Sequence, residues 1–277
     1  GSHAAGPRRG VNIYPHLFPI LFDKFPAFPD YLKRFAMQPY TSIAPAYDTI
    51  LRHVDYQEWY EYIRAVMARY APAADTVLEL GCGTGRFGAK FSNDGYTIYG
   101  IDRSLSMLAV AKARAFLNFR IFCADITRFS LARPVDFIFS VHDTMNYLLE
   151  PDDMARVFVC CREAMHERGV FLFDITTEYN IYANFAGKTT RHQLRDGWIE
   201  WSNEYDTGSR LVRSILRYHR RQGGTVTEEH LQRIYTAEEV ATIAAQSGLE
   251  VMGVFGDYTF EPPQRETIMM NIVTRRG

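Results

Sequence analysis

Between residues 76 and 174, short and mainly apolar runs alternate with stretches whose apolar residues recur at helical spacing. The apolar runs lie at 76–80, 96–101, 119–123, 135–140 and 170–174; helices are predicted at 86–92, 105–116 and 152–167. A strand that is apolar on both faces is buried on both faces, as in a parallel sheet covered by helices. Parallel neighbours need crossover connections, which are right-handed, so the expected class is α/β with a doubly wound, Rossmann-like sheet.

After Asp174 the period changes. Residues 198–205, 211–219 and 226–235 alternate as three strands, joined by Thr207-Gly208 and Gly223-Gly224, both hairpin signals. They predict a small antiparallel sheet inserted into the α/β domain. Thr236, with Glu239 at capping-box spacing, opens a helix at 238–246 that Gly248 ends. Strands at 251–256 and 267–274 complete a mainly parallel sheet of about seven. Upstream, Asp55 is the expected cap of a helix over 54–70, with Glu58 at capping-box spacing and Pro72 beyond its end. The first forty residues, rich in proline and aromatics, read as an irregular arm with one short helix at 31–37. The organisation follows: arm and cap helices 1–70, α/β domain 71–195 and 236–277, covering sheet 196–235. Gly1-Ser2-His3 reads as a tag remnant.

Composition narrows the function. With 277 residues, 47% of them hydrophobic, the chain can bury a large core. Its 31 basic and 32 acidic side chains leave almost no net charge, which argues against a nucleic-acid partner. The apolar stretch 11–28 is broken by Pro15, Pro19 and Pro26, so neither a membrane span nor a secretion signal is expected. Cys82, Cys123, Cys160 and Cys161 form no C-x-x-C pair. They suggest reduced thiols in a cytoplasmic protein, with no metal site. A homodimer is compatible with all of this.

The chemistry concentrates in Val77-Leu78-Glu79-Leu80-Gly81-Cys82-Gly83-Thr84-Gly85. A buried strand runs into three alternating glycines and then a helix. Bare backbone and a helix N-terminus at the carboxyl edge of a sheet suit a nucleoside-containing ligand. Gly83-Thr84-Gly85-Arg86-Phe87-Gly88, with Asp102 some twenty residues on, can also be read as a dinucleotide fingerprint. That register starts two residues beyond the apparent strand end.

Four segments in order resemble the motifs of class I S-adenosylmethionine-dependent methyltransferases, within the small-molecule, amino-sugar N-methyltransferase-like branch. They are Leu78–Gly85; Tyr99-Gly100-Ile101-Asp102-Arg103-Ser104, followed by Met107; Cys123-Ala124-Asp125-Ile126; and Asp136-Phe137-Ile138-Phe139-Ser140. The resemblance implies S-adenosyl-L-methionine as cofactor. Its methionine part would lie in the turn formed by Glu79, Gly81, Cys82, Gly83 and Gly85. Asp102 would accept from the ribose hydroxyls, Arg103 would flank the adenine, and Asp125 and Ile126 would hold its amino group and ring. Met107 and Val141 complete the expected contacts. Each acid has a structural alternative: Glu79 or Asp102 as a helix cap, Asp125 as a turn residue.

Methyl transfer from a sulfonium chiefly requires alignment, and a base only where the acceptor must lose a proton. The loop Val141-His142-Asp143-Thr144-Met145-Asn146-Tyr147-Leu148 leaves the carboxyl edge beside the expected cofactor. His142 and Asp143 are candidate bases there, or a wall residue and a turn cap. Tyr47, a third catalytic candidate, and Tyr40, a candidate acceptor contact, lie in segments that resemble the cap that closes over the cofactor in related enzymes. Asn146, Tyr147, Arg217, His230, Arg233 and Tyr258 are the remaining candidates for a small-molecule acceptor. Strand alternation sets Glu229, Leu231, Arg233 and Tyr235 on one face, His230 and Gln232 on the other. The reading is methyl transfer to a nitrogen or oxygen. The alternatives are a nicotinamide-dependent oxidoreductase and a non-catalytic cofactor-binding module.

Overall fold

The computed structural model describes residues 39–277, so the short helix expected at 31–37 lies outside the described residues. Among the described residues, eleven strands form two sheets. The larger contains β1 (Thr76–Leu80), β2 (Thr97–Asp102), β3 (Phe119–Cys123), β4 (Val135–Ser140), β5 (Met165–Thr176), β10 (Leu249–Gly256) and β11 (Met269–Arg276). Its order is β10-β11-β5-β4-β1-β2-β3. Strands β3, β2, β1, β4 and β5 run parallel, whereas β11 is antiparallel to both β5 and β10. The strand order reverses between β1 and β4, the position where such sheets open a crevice at their carboxyl ends.

Both faces are covered, as the unbroken apolar strands require. Leu78, Leu80, Ile138, Phe171 and Phe173 pack with Met154, Val157 and Val240 on one side. These come from α5 (Pro151–Ala164) and α7 (Ala237–Gln246). On the other side Val77, Phe137, Phe139 and Leu172 meet Ile63, Val66 and Phe91, from α2 (Tyr56–Tyr70) and α3 (Arg86–Asn93). Asp55 caps α2 by accepting from Gln57 and Glu58 backbone N–H, and Thr236 and Glu239 form a reciprocal capping box on α7.

Two local expectations fail for identifiable reasons. The helix after β2, α4 (Leu105–Ala111), is shorter than the predicted 105–116. Beyond it Arg114 turns to bond the Thr84 carbonyl at 2.9 Å and Asp48 at 2.7 Å, which fixes the chain in turns. The second sheet has four strands, not three: β6 (Thr189–Leu194), β7 (Gly197–Asp206), β8 (Leu211–Arg220) and β9 (Thr225–Arg233), in that order. Strand β6 is Thr-Thr-Arg-His-Gln-Leu, an edge strand exposed along most of its length, so no apolar alternation announces it. The sheet thus starts before the boundary at 196.

The inner face of this sheet is closed by the segment that precedes α2. Ile43, Ile50 and Leu51 pack on Leu194, Ile199, Leu216 and Tyr218. Helix α1 (Tyr47–Ile50) therefore sits between the inserted sheet and the crevice.

Candidate active site

The crevice is a cavity of about 560 Å³, walled by the ends of β1, β2 and β4, the 144–147 turn, the cap and β9. That volume lies in the range of sites that enclose a small organic ligand. One end is the glycine turn. Gly81, Gly83 and Gly85 all have positive φ, of 69°, 50° and 77°. A Cβ at Gly81 would stand 2.5 Å from Thr144 Cγ2, so glycine is required by space as well as by φ. Gly85 is the one turn glycine absent from the wall; it packs against Phe119 and Ala111. The close helix–strand contact belongs to Gly88, where a Cβ would meet the Phe119 ring at 2.2 Å.

Glu79, Cys82, Asp102, Arg103, Met107, Asp125, Ile126 and Val141 line the cavity, as the motif resemblance implies. Glu79 is almost completely buried, and burial pushes its carboxyl well above the usual range. It accepts a backbone hydrogen bond from Gly88, yet its Oε2 is buried without a partner. An acceptor in that setting suits a ligand ammonium. Asp102 accepts from Gly83 N–H at 2.9 Å and Ser104 N–H at 2.8 Å. Ser104, not Asp102, caps α4, through Met107 N–H at 3.3 Å. Asp125 accepts from the backbone and hydroxyl of Thr127, so it holds its own turn while facing the cavity.

The other end is aromatic. Tyr40, Tyr47, Tyr56, His142 and Tyr147 form the wall. Arg86 lies over the Tyr56 ring at 3.8 Å, and Tyr40 and Tyr47 meet edge to face at 5.4 Å. The cap is latched to the glycine turn through Asp48, which accepts from the Thr84 hydroxyl and is paired with Arg114, each at 2.7 Å.

His142 and Asp143 sit in consecutive left-handed conformations, φ 66° and 50°. Asp174, at the end of β5, holds this turn: its two oxygens accept the N–H groups of His142 and Asp143 at 2.7 Å each. Tyr258 donates its hydroxyl to the same carboxyl and stacks on Trp59 at 4.2 Å. His142 reaches the cavity, but Asp143 does not; its carboxyl takes the Gln232 amide at 2.6 Å.

Burial raises Asp174 from 3.8 to about 7 and Asp143 to about 6. The folded chain therefore holds more protons here than the unfolded chain, and the stabilising contribution, full at low pH, is lost as pH rises through 6 and 7. His142 has the opposite sign: burial, then the charge of His53, lowers it from 6.5 to about 4. Its contribution is full above its unfolded value and lost as pH falls through about 4. Asp174→Asn is accordingly expected to unfold at a lower temperature than the parent, but with a flatter decline in Tm between pH 6 and 8. Thermal denaturation across that range checks it, and equal slopes in both proteins would exclude Asp174 as the source.

Several expected acceptor contacts lie elsewhere. Asn146 is fully buried, donating to the Arg233 carbonyl at 2.7 Å and accepting from Thr176 N–H at 2.9 Å. It ties the 144–147 turn to β5 and β9 from behind. Arg233 turns to the Leu149 carbonyl and Glu239, while Arg217 pairs with Glu200 on the outer face of the sheet. Tyr258 acts through Asp174. His230 is buried behind Tyr147, to which it bonds at 2.9 Å. Sequence reasoning missed Asp174, Glu228, Tyr56 and Arg86. The first two carry readable signals: an acid closing an apolar strand, as Asp102 does, and a position two residues from His230 on the same strand face.

Comparison with known proteins agrees with this geometry. Residues 77–169 match a family model described as a methyltransferase domain. An uncharacterized methyltransferase of Bacillus cytotoxicus is 30% identical over 62% of this chain and 83% of its own length. A methyltransferase-named protein of Geobacillus is 24% identical over 86% of this chain and 99% of its length. Among solved structures, an S-adenosylmethionine-dependent methyltransferase of Clostridium acetobutylicum superposes with a TM-score of 0.76 at 24% identity, over 87% of this chain and all of that one. A sugar N-methyltransferase of Streptoalloteichus gives a TM-score of 0.69 at 19% identity, over 83% and 93%. The chain belongs to the class I S-adenosylmethionine-dependent methyltransferase family. Among the described residues, no helix is long and apolar enough to cross a membrane, and no group of three His, Cys, Asp or Glu is placed to hold a metal.

Proposed function

We propose that the chain methylates a nitrogen or oxygen of a small molecule admitted between the cap and the inserted sheet. The observation that carries this reading is the continuity of one cavity from Glu79 and the glycine turn to the Tyr40, Tyr47, His142 and Tyr147 wall. The cofactor supplies an electrophilic methyl group; the protein supplies position. Glu79 and the turn take the amino-acid end, Asp102 the ribose, and Asp125 with Ile126 the base. Tyr40, Tyr47 and Tyr147 then offer hydroxyls and ring faces to the acceptor. Ring faces favour a cationic amine, and the fold is shared with a sugar N-methyltransferase, which together favour nitrogen.

The parts of the chain divide accordingly: cap, α/β domain and covering sheet. A cytoplasmic setting is supported by four free thiols, three of them buried. A homodimer is open to sedimentation analysis.

Calorimetric titration with S-adenosylmethionine, S-adenosylhomocysteine and NADH tests the cofactor site, followed by a labelled-methyl screen of amines and their hydroxyl counterparts. Binding of the adenosyl pair without NADH, and label transfer to an amine, is the expected result. Binding of NADH alone would return the Gly83–Gly88 fingerprint to consideration.

A further inference from the structure

Behind the aromatic wall, four side chains form an unbroken line of hydrogen bonds. Tyr40 Oη lies 2.5 Å from Tyr147 Oη, Tyr147 Oη 2.9 Å from His230 Nδ1, and His230 Nε2 3.3 Å from Glu228 Oε2. The two tyrosines line the cavity. The imidazole and carboxylate behind them are only 2% and 1% exposed. Glu228 and His230 stand two apart on β9 and so share a face. Tyr40 is itself in the left-handed region, φ 63°, and its N–H donates to Glu228 at 2.8 Å.

The chemistry of the groups sets the direction of this line. Glu228 also accepts from Ser42 N–H, the Ser42 hydroxyl and Ile43 N–H. Burial opposes its ionisation, but the hydrogen bonds from His230 and Ser42 prevail and hold its carboxyl below the usual range. An ionised carboxylate only accepts, so His230 must donate from Nε2. A neutral ring then presents a lone pair at Nδ1, Tyr147 donates to it, and Tyr40 donates to Tyr147. The lone pairs of Tyr40 Oη are left for whatever lies in the cavity.

We propose that Tyr40, Tyr147, His230 and Glu228 are a proton relay that deprotonates the methyl acceptor. The proposal rests on the methyl-transfer reading above and adds where the proton goes. The acceptor's N–H or O–H proton passes to Tyr40 Oη, the proton of Tyr40 to Tyr147, and that of Tyr147 to His230 Nδ1. One imidazolium results, paired with the Glu228 carboxylate. Only protons move, and they return by the same path to the cavity once product has left. Tyr40 touches the acceptor, whereas Tyr147, His230 and Glu228 act through it. His142, the nearest alternative, meets the Tyr47 hydroxyl at 3.4 Å and continues to no carboxylate. Its value of about 4 makes it a weak base at neutral pH.

The groups facing His230 are Tyr40 from the cap, with ring centroids 4.6 Å apart, Tyr147 from the 144–147 turn, Ser214 across the β8–β9 register and Glu228 on its own strand. Asp143 and Arg103 add opposing charges at Tyr147.

Nitrogen NMR of the whole chain labelled in its histidine rings, with S-adenosylhomocysteine present, tests the relay without an identified acceptor. Neutral His230 is expected to carry its proton on Nε2. Glu228→Gln should lower the pH at which the imidazolium forms by about 1–2 units, because an opposite charge is removed. Tyr147→Phe should remove the hydrogen-bond signature at Nδ1 while leaving Nε2 protonated. A proton on Nδ1 in the parent, or an unchanged midpoint in Glu228→Gln, overturns the relay. Calorimetry on the same samples separates the two readings. Both variants should bind S-adenosylhomocysteine within about threefold of the parent, an energy change below the ~1.4 kcal/mol of a tenfold step. A parent that does not bind it sinks the methyltransferase-site reading, whatever the tautomer.

Discussion

Asp102→Ala is expected to weaken S-adenosylhomocysteine binding by about two to four orders of magnitude, from two charged hydrogen bonds worth ~1.5–3 kcal/mol each. The carboxyl stands at the end of β2 and is held in place by the N–H groups of Gly83 and Ser104. Each oxygen thus has a backbone donor and retains acceptor capacity toward the cavity. Alanine removes the carboxylate proposed to hold the ribose and also leaves Gly83 N–H, part of the glycine turn, without its partner. The loss should appear in affinity far more than in folding, since Ser104 still caps α4 through its own hydroxyl. Calorimetry gives the first quantity and urea unfolding the second. Unchanged affinity in a folded variant would remove Asp102 from the cofactor site, and a large loss of stability with intact affinity would make it a structural residue.

Gly81→Ala is expected to damage both ends of the site. The left-handed backbone at φ 69° costs a non-glycine residue about 1–2 kcal/mol. The new methyl would stand 2.5 Å from Thr144 Cγ2 and 2.7 Å from its Oγ1, an overpacking that adds ~1–3 kcal/mol. Thr144 opens the short 3₁₀ turn Thr144–Tyr147, so relief of the clash moves Tyr147 as well as the glycine turn. Urea denaturation should show the summed destabilisation, and S-adenosylhomocysteine affinity should fall with it. The double variant Gly81→Ala, Thr144→Ala should recover the overpacking part but not the backbone part. Failure to recover anything would place the whole cost in the backbone.

The glycine-turn end of the cavity was legible because its determinants are local. A glycine turn, an acid at a strand end and an apolar residue one to five positions on lie close together in the chain. Once the strands are parallel, their carboxyl ends converge. Ten of the eleven residues expected there line the cavity, and the eleventh, Gly85, packs one layer behind. The aromatic end was legible only in part. Tyr40, Tyr47, His142 and Tyr147 reach the wall, whereas Arg217 and Arg233 find acidic partners away from it. Charge at a plausible position does not reveal its partner, because the partner comes from a strand pairing or helix packing far along the chain. Glu200 faces Arg217 across the β7–β8 register, and Glu239 reaches Arg233 from α7.

What the sequence determined by itself was the class of fold, the run of its main strands and helices, two helix caps and the ligand turn. Each depends on period, propensity or hydrogen bonds between residues a few positions apart. The tertiary structure decided what lies between distant segments. Strand β6, polar and half-solvated, exists because β7 offers it a ladder of backbone partners. Asp174 became the holder of the His142–Asp143 turn because β5 ends beside β4. Glu228 became the anchor of the cap because 186 residues of chain return it to Ser42. A buried carboxylate must collect its donors from whichever backbone the fold delivers, and that choice is made only after the two sheets and the cap have met.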